Sequence, residues 1–328
     1  MNWNLIGHQW AVNLLHKHLA DNNLRHAYLI TGPDGIGRRL LALRLTQALF
    51  CESPPSEGVP CYHCRTCQQI EREEHPDLYT IQVEEGTQVI KIDQIRDLQH
   101  ALSLSPYEQQ FQIGILQEFE KANPSAQNAL LKTLEEPPPR VVLILTAESG
   151  EQLLETITSR CEGIDLRPVP RKTIQRELQQ RRELSTERAR TLAHIAQGRP
   201  GYALRLLDNP ELFEQRQAWL DEHQELLPAT IVQRFAYAER FKNDAQTFQK
   251  ILHTWITLWR DIMLTSAGST SALTNIDRQK DIERIAARID THTSQQMVSN
   301  LEHAAFLLQR YANTQLTIEN LLLQLPTL

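Results

Sequence analysis

Apolar residues in the first sixty positions switch between two periods. In AVNLLHKHLA (11–20) they recur every three or four residues, as on a helix with one buried face. HAYLIT (26–31) is a short continuous run of the kind that forms a buried strand. RLLALRLTQALF (39–50) returns to the helical period, with Leu41, Leu45 and Leu49 on one face. Further apolar runs stand at LYTIQV (78–83), FQIGIL (111–116), VVLILTA (141–147) and GIDLRPV (163–169), and helical patterns lie between several of them. Strands alternating with helices predict βαβ units, hence an α/β domain with a mostly parallel sheet covered on both faces. A helix is predicted over 125–135, where Ala126, Leu130 and Leu134 repeat every four residues and Pro137 to Pro139 stop it.

Beyond Pro168 and Pro170 the strand pattern ends. Residues 171–208 read as short helices, one ending at Gly198 ahead of Pro200, and from about 209 the chain is helical throughout. Trp255, Trp259 and Ile262 of WITLWRDIM form one stripe, continued by AFLLQRYA (305–312), and read as core or subunit interface. The polar tract SAGSTSALTN (266–275) is predicted to be a loop. The division expected is therefore 1–167, 168–208 and 209–328, with an insertion at about 51–70.

A chain of 328 residues that is 41% hydrophobic and 23% charged has the proportions of a packed globular protein. No apolar run exceeds the seven residues of VVLILTA, and MNWNLIGHQW has no leader pattern, so no membrane association and a cytoplasmic location are expected. A formal net charge of -6 argues against a general polyanion binder. The charge is uneven: residues 51–100 carry ten acidic and four basic side chains, and residues 160–190 nine basic and five acidic.

Two constellations carry chemistry. Cys51, Cys61, Cys64 and Cys67 follow C-x9-C-x2-C-x2-C in a polar segment, which suits one tetrahedral zinc ion with every position filled by protein, a site that holds a fold rather than catalyses. His63 reads as a bystander. GPDGIGRR (32–39) sits between a predicted strand and helix and keeps Gly32, Gly35 and Gly37 of a phosphate-binding loop. Arg38 stands where such a loop has lysine, and Arg39 where it has the magnesium-binding hydroxyl. The matching acidic pair after FQIGIL is Gln117 and Glu118, so the metal-side carboxylate is missing and only the water-side one remains. The loop thus reads as a degenerate nucleotide site in which ATP or ADP binding is doubtful. An active ATPase with an atypical loop stays open as the alternative, as does a zinc-centred nucleic-acid module, against which the acidic flank Glu71, Glu73 and Glu74 counts.

SAQNALLKTLEEPP (125–138), the following VVLILTA and ITSRC (157–161), together with the CxxCxxC insertion, closely resemble the bacterial clamp-loader subunits of DNA polymerase III. The resemblance spans about Leu5 to Leu207. It implies an AAA+ domain with a helical lid and a C-terminal helical collar. It also implies a heteropentameric ring with tau/gamma and delta subunits that opens the sliding clamp and places it on primed DNA. Ser159, Arg160 and Cys161 match the family's SRC motif, whose arginine enters the ATP site of the adjacent subunit. The resemblance places the lid arginine of hydrolysing members at Gly201, with Arg199 close by, and a polar sensor near Ala147 and Glu148. The function expected is a ring subunit that does not hydrolyse ATP itself and supplies Arg160 to a neighbour.

Overall fold

The computed structural model describes residues 3–310 and 312–328; Met1, Asn2 and Tyr311, the last within AFLLQRYA, lie outside the described residues. The chain divides into two compact units, one running to Glu177 and including Gly198–Tyr202, the other comprising Leu178–Gln197 and Ala203–Leu328.

The first unit is built on a sheet of β1 (Ala27–Thr31), β2 (Leu78–Ile81), β3 (Gln112–Leu116), β4 (Val141–Ala147) and β5 (Glu162–Asp165). Its order is β2-β3-β4-β1-β5 and every neighbouring pair is parallel. β4 coincides with the predicted run; β2 and β5 stop short of Val83 and Val169, and Pro168 cannot donate to a ladder. Around the sheet lie α1 (Gln9–Ala20), α2 (Arg38–Phe50), α3 (Arg65–Glu71), α4 (Ile92–Leu102), α5 (Pro124–Glu135) and α6 (Glu155–Thr158).

The period-two alternation of side chains divides the core into two layers. Tyr28, Ile30, Ile113, Ile115, Val142 and Ile144 pack with Leu15 of α1 and Leu41 and Leu45 of α2. Ala27, Leu29, Leu116, Leu143 and Leu145 face the other way, against Ile95 and Leu98 of α4 and Ala126 and Leu130 of α5. Both faces of β3 and β4 are buried, which is why these strands read as unbroken apolar runs. α5 starts where local chemistry requires: the Asn123 side chain accepts from the Ala126 N–H at 2.8 Å, with Pro124 at the first helical position.

Next come α7 (Arg171–Arg182), α8 (Thr186–Ile195) and α9 (Pro200–Asp208). α8 ends three residues before the predicted Gly198 because Gln197 and Gly198 both take positive φ, 51° and 83°, after the last helical turn. The remaining helices are α10 (Pro210–Leu226), α11 (Ile231–Glu239), α12 (Ala245–Ser266), α13 (Gln279–Ala286), α14 (Thr291–Gln309) and α15 (Thr314–Leu323), and most of the tract 266–275 is the expected loop.

The predicted stripe of α12 is core: Trp255, Trp259 and Ile262 are fully buried with Leu252, Ile282, Leu301 and Ile318. Arg234 is buried too, and its guanidinium donates to the carbonyls of Leu227, Leu322 and Leu325, which terminate α10 and α15. Inside this core the Trp259 indole N–H donates to His223 Nε2 at 2.8 Å. Burial holds the His223 imidazole down at about 3, against an ordinary 6.5.

A depressed histidine stabilises the fold in its neutral form, so that contribution is complete above pH 6.5 and is lost as pH falls toward 3, where the unfolded chain binds the extra proton. The loss runs at up to about 1.4 kcal/mol per pH unit. Thermal unfolding from pH 7 to pH 4 should therefore show a steeper decline for the native chain than for His223→Gln, which keeps an acceptor for Trp259 without titrating. Equal slopes would contradict this role.

Candidate nucleotide loop, cysteine cluster and SRC segment

The glycine loop joins β1 to α2, and its turn needs glycine: Gly32, Gly35 and Gly37 have φ of 140°, 77° and 118°. The Gly32 N–H points back to the end of β4, to the carbonyls of Ala147 and Glu148. Two loop carbonyls are engaged from outside. Ile36 accepts from His8 Nε2 at 3.2 Å, and since a carbonyl only accepts, that nitrogen carries the proton. Gly35 accepts from the Gly201 N–H at 2.8 Å. A Cβ built on Gly201 would stand 2.9 Å from the Gly35 oxygen, so the lid-arginine position has space for no side chain. Arg199, the nearby candidate, lies with its guanidinium carbon 4.6 Å over the Tyr202 ring.

Gly201→Ala is expected to destabilise the chain by about 1–3 kcal/mol through overpacking. Gly201→Arg should do so further and restore no ATP turnover. Calorimetric unfolding and phosphate release measure the two effects, and an arginine variant that hydrolyses ATP would refute the expectation.

Neither loop arginine is disposed as a phosphate or metal ligand would be. Arg38 is 7% exposed and turned toward Glu120, its Nη1 3.9 Å from Glu120 Oε1 and without a hydrogen-bond partner among the described residues. Burial raises the Glu120 carboxyl above its usual range. Arg39 pairs with Glu73, and the same carboxylate accepts from Gln117 Nε2 at 3.3 Å on both oxygens. The two positions that would hold magnesium in a working site are thus bridged to each other by Glu73. Glu118 takes φ 49°, its N–H donates to the Thr146 hydroxyl at 2.9 Å, and its carboxylate pairs with Lys121. Thr146, one position before Ala147, thus supplies a polar contact at the end of β4. A guanidinium supplies no oxygen ligand in the place of the hydroxyl, and the Gln117 amide, whose nitrogen is turned to Glu73, offers at most a neutral oxygen in the place of the carboxylate, so these residues do not fit a magnesium-bound triphosphate.

The four cysteines converge. Their Sγ atoms lie within 4.8 Å of one another, and Cys61 and Cys67 are 4.0 Å apart, close to the edge of about 3.8 Å that Zn–S bonds of 2.3 Å give a tetrahedron. Backbone N–H groups of Cys61, Cys64 and Cys67 point at the sulfurs of Cys51, Cys61 and Cys64. Burial works to raise the Cys61 thiol, but the hydrogen bonds from Cys64 and its neighbours prevail and bring it to about 6. Four thiols with donors aimed at three of them fit Zn2+, held by Cys51, Cys61, Cys64 and Cys67. His63 bonds the Cys61 carbonyl through Nδ1 at 2.7 Å and stands aside as expected. The cluster is tied to α2: Gln47 donates to the Cys67 carbonyl at 2.8 Å and to Glu71 at 3.0 Å, and Arg44 pairs with Glu71.

Ser159, Arg160 and Cys161 follow α6. Ser159 bonds the Thr156 carbonyl at 3.3 Å, and Arg160 is partly exposed. Burial pushes the Cys161 thiol up to about 12, which leaves it unreactive.

A five-stranded parallel sheet in this order, with a glycine loop after β1 and an all-helical C-terminal region, defines an AAA+ P-loop fold carrying a four-cysteine insertion. The crystal structure of a DNA polymerase III gamma-subunit-related protein from Thermotoga maritima shares the fold, with a TM-score of 0.51 and 19% identity over 95% of this chain and 97% of that one. Residues 7–170 match the family described as DNA polymerase III, delta subunit, and residues 210–327 its C-terminal family. The delta prime subunit of Bacillus subtilis is 29% identical over 323 residues, 96% of this chain and 95% of that protein. That of Pseudomonas aeruginosa is 40% identical over 136 residues, 42% of this chain and 41% of that protein. The chain belongs to the delta prime family of DNA polymerase III clamp-loader subunits.

Among the described residues no helix is long and apolar enough to cross a membrane. Sequence reasoning missed Glu73, Glu120, His8 and Thr146. In the sequence Glu73 stands only as a charge that repels DNA, and its φ of 59° after α3, which turns it back toward the loop, has no local sequence signal.

Proposed function

We propose that this chain acts in the clamp loader as a subunit that does not hydrolyse ATP and that supplies Arg160 to the nucleotide site of an adjacent subunit. The observation that carries the reading is the bridge of Arg39 and Gln117 by Glu73, an ion pair at the two positions that a working site would use for magnesium. The closed lid position at Gly201 and the inward turn of Arg38 support it from two other sides. Without magnesium ligands at Arg39 and Gln117, the chain's contribution to chemistry is the Arg160 guanidinium, which can stabilise charge on a transferring phosphate. The partners in this reading are tau/gamma and delta subunits in a five-membered cytoplasmic ring acting on the sliding clamp and primed DNA. Its division of labour is an AAA+ domain (1–167), a helical lid (168–208) and a collar (209–328). Zinc holds the insertion together and takes no part in hydrolysis. The test is ATP turnover by a complex reconstituted with the Arg160→Ala chain, alongside turnover by the isolated native chain.

A further inference from the structure

Arg160 leaves the end of α6 with its direction already set. Nη2 lies 2.8 Å from Glu135 Oε1, and Nη1 donates to the Thr156 carbonyl at 2.9 Å. The two acceptors belong to different helices, Glu135 ending α5 and Thr156 lying within α6, so together they fix the plane of the guanidinium and not only its position. α5 is itself anchored. The Gln127 side chain accepts from the Leu154 N–H just before α6 at 3.0 Å, and Gln99 of α4 donates to the Ala129 carbonyl and the Thr133 hydroxyl.

The pair contributes little to stability, because the Arg160 and Glu135 side chains are 35% and 52% exposed and exposed ion pairs are screened by water and salt. What it does is order a long side chain. A guanidinium has five N–H donors, and these two contacts, with a longer one of 3.5 Å from Nη1 to Ser159 Oγ, leave Nε and the second Nη2 hydrogen for another acceptor. Fixing four side-chain torsions in advance removes an entropy cost that would otherwise be met when Arg160 docks on a phosphate.

We infer that Glu135 is the positioning residue for Arg160, holding its guanidinium in the orientation in which it meets a phosphate of nucleotide bound by the neighbouring subunit. This rests on the reading of Arg160 as acting in trans. The carboxylate touches no substrate and acts only through the arginine.

The experiment reconstitutes the loader with Glu135→Ala, Glu135→Gln, Arg160→Ala and the double alanine chain, and follows ATP hydrolysis at the adjoining site. Glu135→Ala should lower kcat roughly three- to tenfold with KM unchanged, the range expected for releasing one rotamer-rich side chain. Glu135→Gln, whose amide oxygen still accepts from Nη2, should recover most of the rate, and Glu135→Ala should have no further effect once Arg160 is gone. A kcat at or above native for Glu135→Ala would overturn the positioning role, as would a loss confined to KM or to assembly. If Arg160→Ala alone left turnover unchanged, the trans reading beneath it would fall instead.

Discussion

Replacing Arg160 with alanine should slow phosphate release at the adjoining site of the reconstituted loader by roughly 10³-fold, the lower end of what removal of an arginine finger costs in phosphoryl transfer. The magnitude follows from where the charge acts. A guanidinium brought to a water-excluded site meets charge that develops in the transition state, and there it is worth far more than as an exposed partner of Glu135. In a complex with several active sites the bulk rate falls only by the share of the affected site, so single-turnover phosphate release is the decisive readout. Assembly should be unaffected, because the Arg160–Glu135 pair is half exposed and carries little of the fold.

Loss of the cysteine-bound metal should have the second large effect. The purified chain is expected to hold one zinc per molecule by elemental analysis. Its removal by a strong chelator, or the pair Cys64→Ser and Cys67→Ser, should destabilise the first unit by about 3 kcal/mol or more, since the binding energy of a structural zinc is folding energy. The damage should spread along the contacts already described. Once the insertion opens, Gln47 loses its Cys67 acceptor, Arg44 loses a fixed Glu71, and Glu73, two residues beyond α3, is no longer held against Arg39 and Gln117. Hydrogen exchange should therefore rise first at Cys51–Glu74 and then at the start of α2. A chain that lost its metal with unchanged melting temperature and exchange would refute a structural role for the cluster.

The elements legible in the sequence were those whose signal is local. VVLILTA became β4 residue for residue, the four-residue repeat with its proline stop became α5, and four cysteines within seventeen positions met at one point. The glycine loop was legible for the same reason: strand, turn and helix stand in sequence, and three positive φ values require what the three glycines supply. What escaped was set by contacts between distant residues. Glu73 lies 34 positions from Arg39 and 44 from Gln117, and only a left-handed turn after α3 brings it to both. Arg38 fits a phosphate-facing role in sequence, yet it is buried against Glu120, which a linear pattern cannot specify. Gly201 read as the loss of an arginine; in the folded chain it is also a steric requirement, because the backbone of Gly35 fills the space a side chain would take. The Thr146 contact to the Glu118 N–H joins residues 28 positions apart and likewise has no local signal.

The proposed role turns on Arg39, paired with Glu73, standing where a working site would hold a divalent metal. Isothermal titration of ATP into the isolated chain, with and without magnesium, tests this most directly. The account predicts that any binding isotherm is the same under both conditions. Binding that tightens tenfold or more when magnesium is present would contradict it.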